Sequence, residues 1–367
     1  MNEKALFIYT HSSTFVRGDI SILSKKYNLT EYQFKNNPKT QLPLSLFKLL
    51  IYLLFNINKV ELIYIWFADY HSFLPTLLGK LFNKKVLIVI GGYDVCREKK
   101  YNYGSLSKPL RAFMTLQSIK WATCNLCVSK NIERTVKAIA PNAQTKLIYN
   151  GVQIPSLQES FSPQLNNNST QTIRENASQK SILCVALIST VQTFYIKGID
   201  RFNRVASLLP HTQFILVGCN ATVFEWAGIK PSPNLKIVEA IPPEELAEYY
   251  RTSHVYCQFS RRESFSLSLA EAMSYRMIPI ISKAGGMPEV TGGLGFSLYF
   301  YEPYSNKNEH NKSSASNSEL EAAQLIKEAL TLEKSNIFRE RIIHNFSLEK
   351  REKTLSYTLP HKQASAH

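Results

Sequence analysis

The chain has 367 residues, of which 44% are hydrophobic and 19% charged, and a formal net charge of +15. That length exceeds what one hydrophobic core usually fills, so two domains are expected, and the apolar content excludes disorder for most of the chain. The charge is uneven: residues 1–150 hold 21 Lys+Arg against 8 Asp+Glu and the remainder 22 against 20, which points the first half toward an anionic partner.

Residues 1–5 run directly into the strand-like Leu6-Phe7-Ile8-Tyr9 without the layout of a secretory signal, and a cytoplasmic location is expected. Short β-rich runs at 5–10, 60–67, 85–90, 125–129 and 146–149 alternate with helical patterns, which predicts a parallel sheet covered on both faces. The apolar run 42–55 carries Lys48 and is shorter than the roughly 20 residues a spanning helix needs, so it reads as a buried or interfacial helix. A first domain is therefore placed at 1–155.

Residues 156–180 are poor in large apolar side chains, contain Asn166-Asn167-Asn168-Ser169-Thr170, and read as a linker. Strand-like runs resume at 181–186, 213–218, 235–240, 254–259 and 278–282, giving a second α/β domain at 181–347. The polar stretch 304–318 reads as a surface loop, followed by helical patterns at 319–332 and from 336 to about 357. The six cysteines are scattered through strand-like runs; Cys124 and Cys127 form a CxxC but would face opposite sides of a strand, with no second pair or His cluster at zinc spacing. Neither a metal nor a redox role is expected.

The segment Glu263-Ser264-Phe265-Ser266-Leu267-Ser268-Leu269-Ala270-Glu271-Ala272-Met273 follows the apolar run 254–259. Ligands of open α/β sheets bind outside the carboxyl ends of the strands, which puts Glu263 on a ligand-side loop and Glu271 in the next helix. A carboxylate is the natural acceptor for two vicinal hydroxyls, and the start of a helix suits a phosphate. Spacing alone favours the plainer reading, two solvated helix charges.

The segment resembles the Glu-x7-Glu signature of family 4 retaining glycosyltransferases, E-x-F-G-x-x-x-x-E-A-M, and the following SYRMIPIISKAGGMPEV resembles that family's next strand and Gly-Gly loop. Ile148-Tyr149-Asn150-Gly151-Val152 and Asn345-Phe346-Ser347-Leu348-Glu349 are similar to its I-x-N-G-V and F-S-W-E segments, so the likeness covers nearly the whole chain. It implies a GT-B fold, two Rossmann-like α/β domains facing a central cleft, with the last helix, about 348–358, returning to the first domain.

By the same resemblance Glu263 holds the donor sugar, Glu271 the nucleotide ribose, and the main chain of Phe265, Ser266, Leu267 and Ser268 the sugar and diphosphate, Ser266 standing where Gly is usual. Lys197-Gly198 is similar to the family's diphosphate-binding pair; the Arg often found just after the preceding strand has no counterpart, and Lys197 follows a longer loop. Gly218 ends the next strand, and Gly285-Gly286 resembles a second phosphate-side loop. In the first domain Gly91-Gly92-Tyr93-Asp94 matches the family's His-x-x-Asp loop only at Asp94, which is expected to orient the acceptor beside Gly91, Gly92 and His71.

The implied activity is transfer of a sugar, with retention, from a nucleotide-diphosphate sugar to a polysaccharide or lipid-linked acceptor in lipopolysaccharide or capsule synthesis, with no cofactor and no metal. The lysines and arginines of residues 80–120, interleaved with aromatic and aliphatic side chains and a helical pattern at 106–120, suit peripheral contact with an anionic membrane surface on its inner face. A nucleotide-sugar epimerase or hydrolase of the same fold is the rival enzyme. A nucleic-acid partner is not expected, because the basic charge comes without a reading motif.

Overall fold

The computed structural model describes residues 3–35, 41–156, 180–301 and 316–359. Most of the expected linker (157–179) and of the polar surface loop (304–315) lies outside them. The chain divides into two units, one running to Gly151 and resuming at Leu348, the other Val152–Ser347.

In the first unit β1 (Lys4–Tyr9), β2 (Asn28–Gln33), β3 (Leu62–Trp66), β4 (Lys85–Ile90), β5 (Cys124–Cys127) and β6 (Thr145–Leu147) form a parallel sheet in the order β2-β1-β3-β4-β5-β6. β1, β3 and β4 are buried almost end to end, as strands covered on both faces must be. β2, absent from the sequence expectation, is an edge strand with largely exposed side chains and no apolar run to mark it.

The helices of this unit are α1 (Thr14–Ser24), α2 (Leu42–Asn56), α3 (Tyr70–Leu81), α4 (Pro109–Trp121) and α5 (Lys130–Ile139). The step from β1 to β2 runs one way along the sheet and every later step the other way. Right-handed crossovers therefore put α1 on one face and α2, α3, α4 and α5 side by side on the opposite one. The pattern expected at 106–120 forms a helix only from Pro109, the proline fixing its first turn.

In the second unit β7 (Ile182–Ile188), β8 (Phe214–Cys219), β9 (Leu235–Val238), β10 (Val255–Gln258), β11 (Ile278–Ser282) and β12 (Phe296–Leu298) form a parallel sheet in the order β12-β11-β10-β7-β8-β9. Its helices are α6 (Val191–Ile196), α7 (Ile199–Leu208), α8 (Thr222–Trp226), α9 (Pro243–Thr252), α10 (Leu267–Ser274), α11 (Met287–Thr291), α12 (Asn317–Thr331) and α13 (Asn336–Phe346).

The long loop expected before Lys197 is in fact α6. Thr190 and Thr193 bond each other's backbone N–H at 3.1 Å in a capping box, and Phe194 and Ile196 are buried. Residues 152–155 pack with the second unit rather than closing the first: Val152 N donates to Phe346 O at 2.9 Å, and Arg339 Nη2 to Pro155 O at 2.7 Å.

The helical pattern from 336 onward is two helices. Ser347 turns extended, with ψ 153°, between α13 and α14 (Leu348–Thr358), and α14 belongs to the first unit. Arg351 of α14 explains the attachment: its Nε and Nη2 each lie 2.7 Å from the carboxylate of the fully buried Asp19 on α1. Tyr64 and Trp66 also donate to Asp19, at 2.7 and 2.9 Å, and Arg351 Nη1 reaches the carbonyls of Ile148 and Tyr149. Such a pair is tolerable inside a protein because its remaining hydrogen-bonding positions are filled.

Candidate active site

The centre of the site is the end of β10. Alternation along the strand puts Tyr256 and Gln258 on the same face, two polar side chains in an otherwise apolar run. Gln258 Nε2 donates to Glu263 Oε2 at 2.9 Å, while its Oε1 accepts from Ser266 Oγ at 2.6 Å and from the Tyr256 hydroxyl at 3.3 Å. Tyr256 also donates to Ser268 Oγ at 2.8 Å. One strand thus fixes the loop of Glu263, the cap of α10 and the first turn of that helix.

Lys197 closes the arrangement: its Nζ lies 2.7 Å from Glu263 Oε2, with side-chain exposures of 27% for the lysine and 10% for the glutamate. Ser260 Oγ adds a third, weaker donor to the same oxygen at 3.4 Å. Among the described residues all three donors fall on Oε2, and Glu263 Oε1 accepts from none of them.

Close backbone approach holds these pieces together. Gly198 has φ 68°, and a side chain there would strike the Phe259 carbonyl at the end of β10. Gly285, at φ 58°, leaves no room for a side chain against the Glu263 carbonyl, and Gly286 N donates to that carbonyl at 3.1 Å. Arg261 stitches the loop to α6 and α7: it donates to Tyr195 O at 2.7 Å and in bidentate fashion to Asp200 at 2.6 and 2.8 Å. Gly218 lies within β8, against the Ala186 carbonyl.

Ser266 is the N-cap of α10 and adopts φ 77°, ψ 87°, a conformation glycine takes freely and serine does not. Its hydroxyl partly compensates, accepting from Leu269 N at 3.4 Å while donating to Gln258. Phe265 is buried with its ring 5.3 Å from that of Phe346, and Leu267 and Ser268 begin α10, where backbone N–H groups have no intrahelical acceptor.

Glu271 lies three residues beyond Ser268 and so on the same face of α10. Its carboxyl is raised by burial, which the hydrogen bond from Tyr250 at 2.9 Å opposes. Tyr250 in turn is buried and stacked on Tyr275 at 5.4 Å. Gln258, Ser260, Tyr256, Arg261 and Tyr250 were not anticipated; the signal available was Tyr256 and Gln258 interrupting an apolar strand.

In the first unit the expected acceptor residues are placed differently from expectation. Asp94 is 1% exposed, and its carboxylate accepts from the backbone N–H of Ala68, Gly91, Gly92 and Val95, at 3.2, 3.1, 2.6 and 3.2 Å. It ties the loop after β3 to the loop after β4 and is not presented to solvent. Burial pushes it up to about 6 against those N–H groups.

His71 is 2% exposed, in the first turn of α3, with Nε2 2.9 Å from Trp66 O and its ring against Phe34. Burial lowers its pKa, so the ring is neutral and Nε2 carries the proton toward the carbonyl. The exposed-side chemistry here is Arg111, paired with the Asp69 carboxylate and donating to the Tyr93 hydroxyl at 3.1 Å. Cys124 and Cys127 are free, with both thiols raised by burial. Among the described residues no cluster of His, Cys, Asp and Glu is placed to hold a metal.

Residues 174–343 match the family model described as "Glycosyl transferases group 1". No curated protein sequence matches the chain. The architecture is shared with sucrose-phosphate synthase from Thermosynechococcus elongatus, at 17% identity and a TM-score of 0.73 over 97% of this chain and 98% of that one. It is also shared with HepE of Anabaena, solved in complex with UDP-glucose, at 14% identity and TM-score 0.70 over 97% and 99%. A third likeness is to trehalose 6-phosphate synthase from Burkholderia multivorans, at 10% identity and TM-score 0.66 over 98% and 96%. The class so defined is the GT-B fold, two Rossmann-like α/β units. Within it the match to the family model falls on the second unit, whose Glu263 loop and α10 lie inside the matched segment.

Proposed function

We propose that the protein is a retaining glycosyltransferase that moves a sugar from a nucleotide-diphosphate donor to a saccharide or lipid-linked acceptor in cell-surface glycan synthesis at the cytoplasmic side of the membrane. The observation that carries this reading is the Lys197–Glu263 pair at the end of β10: a cation and a carboxylate with one oxygen unengaged, beside the start of α10. HepE was solved with UDP-glucose, which makes a uridine donor the first to test.

In this reading Glu263 Oε1 receives the donor sugar's hydroxyls, Glu271 the ribose, and the first N–H groups of α10 the diphosphate. The bond from the anomeric carbon to the diphosphate oxygen breaks with its electron pair on the leaving group, which Lys197 stabilises. The acceptor oxygen attacks from the same face, and its proton passes to the leaving phosphate. The charge on the diphosphate falls to Lys197 and backbone donors, so neither a metal nor another cofactor is called for. Acceptor recognition is assigned to the first unit, and Asp94 serves there by shaping the loop rather than by contact.

The test is direct. A panel of nucleotide sugars is screened by thermal shift, since a ligand that binds only the native state raises its melting point. The best donor, radiolabelled in the sugar, is then incubated with protein and membrane extract. Label transferred to polymer or lipid supports the reading. Donor hydrolysed or epimerised without transfer overturns it in favour of the rival enzyme.

A further inference from the structure

α2 carries apolar residues on every side, yet only Leu49 and Leu53 of it are buried. Leu44, Phe47 and Ile51, with Leu54 and Phe55 three and four residues beyond Ile51, make a continuous outer stripe, with Phe47 59% and Phe55 72% exposed. The neighbouring helices extend it: Leu81 and Phe82 stand exposed at the end of α3, and Leu110 and Phe113 on α4. α2, α3 and α4 share one face of the sheet, so these side chains belong to one layer. An apolar area of this kind on a folded surface marks a docking site.

The charge on that layer selects the occupant. α2, α3 and α4 contain no Asp or Glu, while Lys48, Lys80 and Lys120 are exposed on them, with Lys108 at the start of α4. Arg111, counted with these bases in the sequence, is spent on Asp69, and Lys84 lies 3.5 Å from Glu61. A second copy docked symmetrically would set lysines against lysines. A spanning helix is also excluded, although Leu42–Lys59 is apolar and long enough by composition. β2 and β3 flank β1 in one sheet, so both ends of α2 are held at the same unit, and Leu49, Leu53 and Ile57 are buried in it.

We propose that α2, with the exposed ends of α3 and α4, lies flat in the interface of an anionic lipid bilayer, the apolar stripe entering the acyl boundary and the lysines meeting phosphate headgroups. This goes beyond glycosyl transfer and does not depend on it.

The experiment is co-sedimentation of the full chain with vesicles of phosphatidylcholine alone or mixed with phosphatidylglycerol, at low and high NaCl. The wild type is expected to partition onto the mixed vesicles and to be weakened by salt. The triple variant Phe47→Ser, Leu54→Ser, Phe55→Ser should lose about tenfold or more of that binding, and the double variant Lys48→Glu, Lys80→Glu a comparable amount. The substituted side chains are exposed, so circular dichroism and the melting temperature should be unchanged. Triple-variant binding equal to wild type, or no preference for anionic vesicles, overturns the proposal. So does light scattering that shows a wild-type dimer which the triple variant dissolves, with no vesicle binding by either. Because the readout is sedimentation, failure of the transfer assay leaves this result standing, and the reverse holds too.

Discussion

Lys197 and Glu263, separated by 66 positions, meet at 2.7 Å because the α6–α7 turn is pressed against the end of β10 at Gly198. Glu263 also keeps Gln258 and Ser260 as donors, so removing Lys197 does not strand its carboxylate. Lys197→Ala should therefore leave the fold nearly as stable while lowering kcat by about 10²–10³ through loss of leaving-group stabilisation. Glu263→Ala should abolish transfer with the circular dichroism spectrum unchanged. Near-normal turnover in either variant removes the assigned role.

Ser266 combines an unfavourable backbone with a useful hydroxyl. Ser266→Ala keeps the positive φ and deletes both the cap and the bond to Gln258, so it should destabilise by about 1–2 kcal/mol. Ser266→Gly loses the same bonds but relieves the backbone by about 1–2 kcal/mol, and should unfold close to wild type. Urea titrations of the three proteins check this order, and an alanine variant as stable as the glycine one would show that the backbone carries no strain.

Tyr250 reaches the donor only through Glu271. Tyr250→Phe removes the hydrogen bond that counters the burial of that carboxylate, raising its pKa further. KM for the nucleotide sugar should rise several-fold, most at low pH, with kcat little changed. A fall in kcat at constant KM would contradict a nucleotide-binding role for Glu271.

Asp94 gives a pH signature. Its folded pKa of about 6 lies above the 3.8 usual for an aspartate, so the folded state holds the proton more tightly than the unfolded chain. That stabilising contribution is complete below about pH 4 and lost as pH rises through about 6. Asp94→Asn cannot titrate, so the stability of wild type relative to the variant should fall by on the order of 3 kcal/mol across this window. Urea midpoints at a series of pH values decide the matter, and a constant difference would refute it.

What the sequence made legible follows from where each residue's partners lie. β4 and β11 are unbroken apolar runs because both faces are covered, and their limits match the sequence reading. β2 and β12, at sheet edges, carry no such run and were invisible. α6 was hidden because its stability lies in a Thr190–Thr193 box too short to show a helical period. The motif pointed to Glu263, Glu271 and Lys197, whereas Gln258 drew no notice inside an apolar strand. Asp94 was read as facing a ligand because a carboxylate beside two glycines looks the same in sequence whether it meets substrate or its own main chain. Only the four N–H groups aimed at it separate those cases.

The bond between Arg351 and Asp19 joins residues 332 positions apart within a single unit. During synthesis the segment up to Gly151 emerges first, yet a carboxylate at its centre lacks its countercharge until α14 has left the ribosome. Val152–Ser347, complete before then, is free to close earlier. The half that is translated first is thus the half that finishes last, and a nascent chain stalled ahead of α14 would hold a mature second unit beside an immature first one.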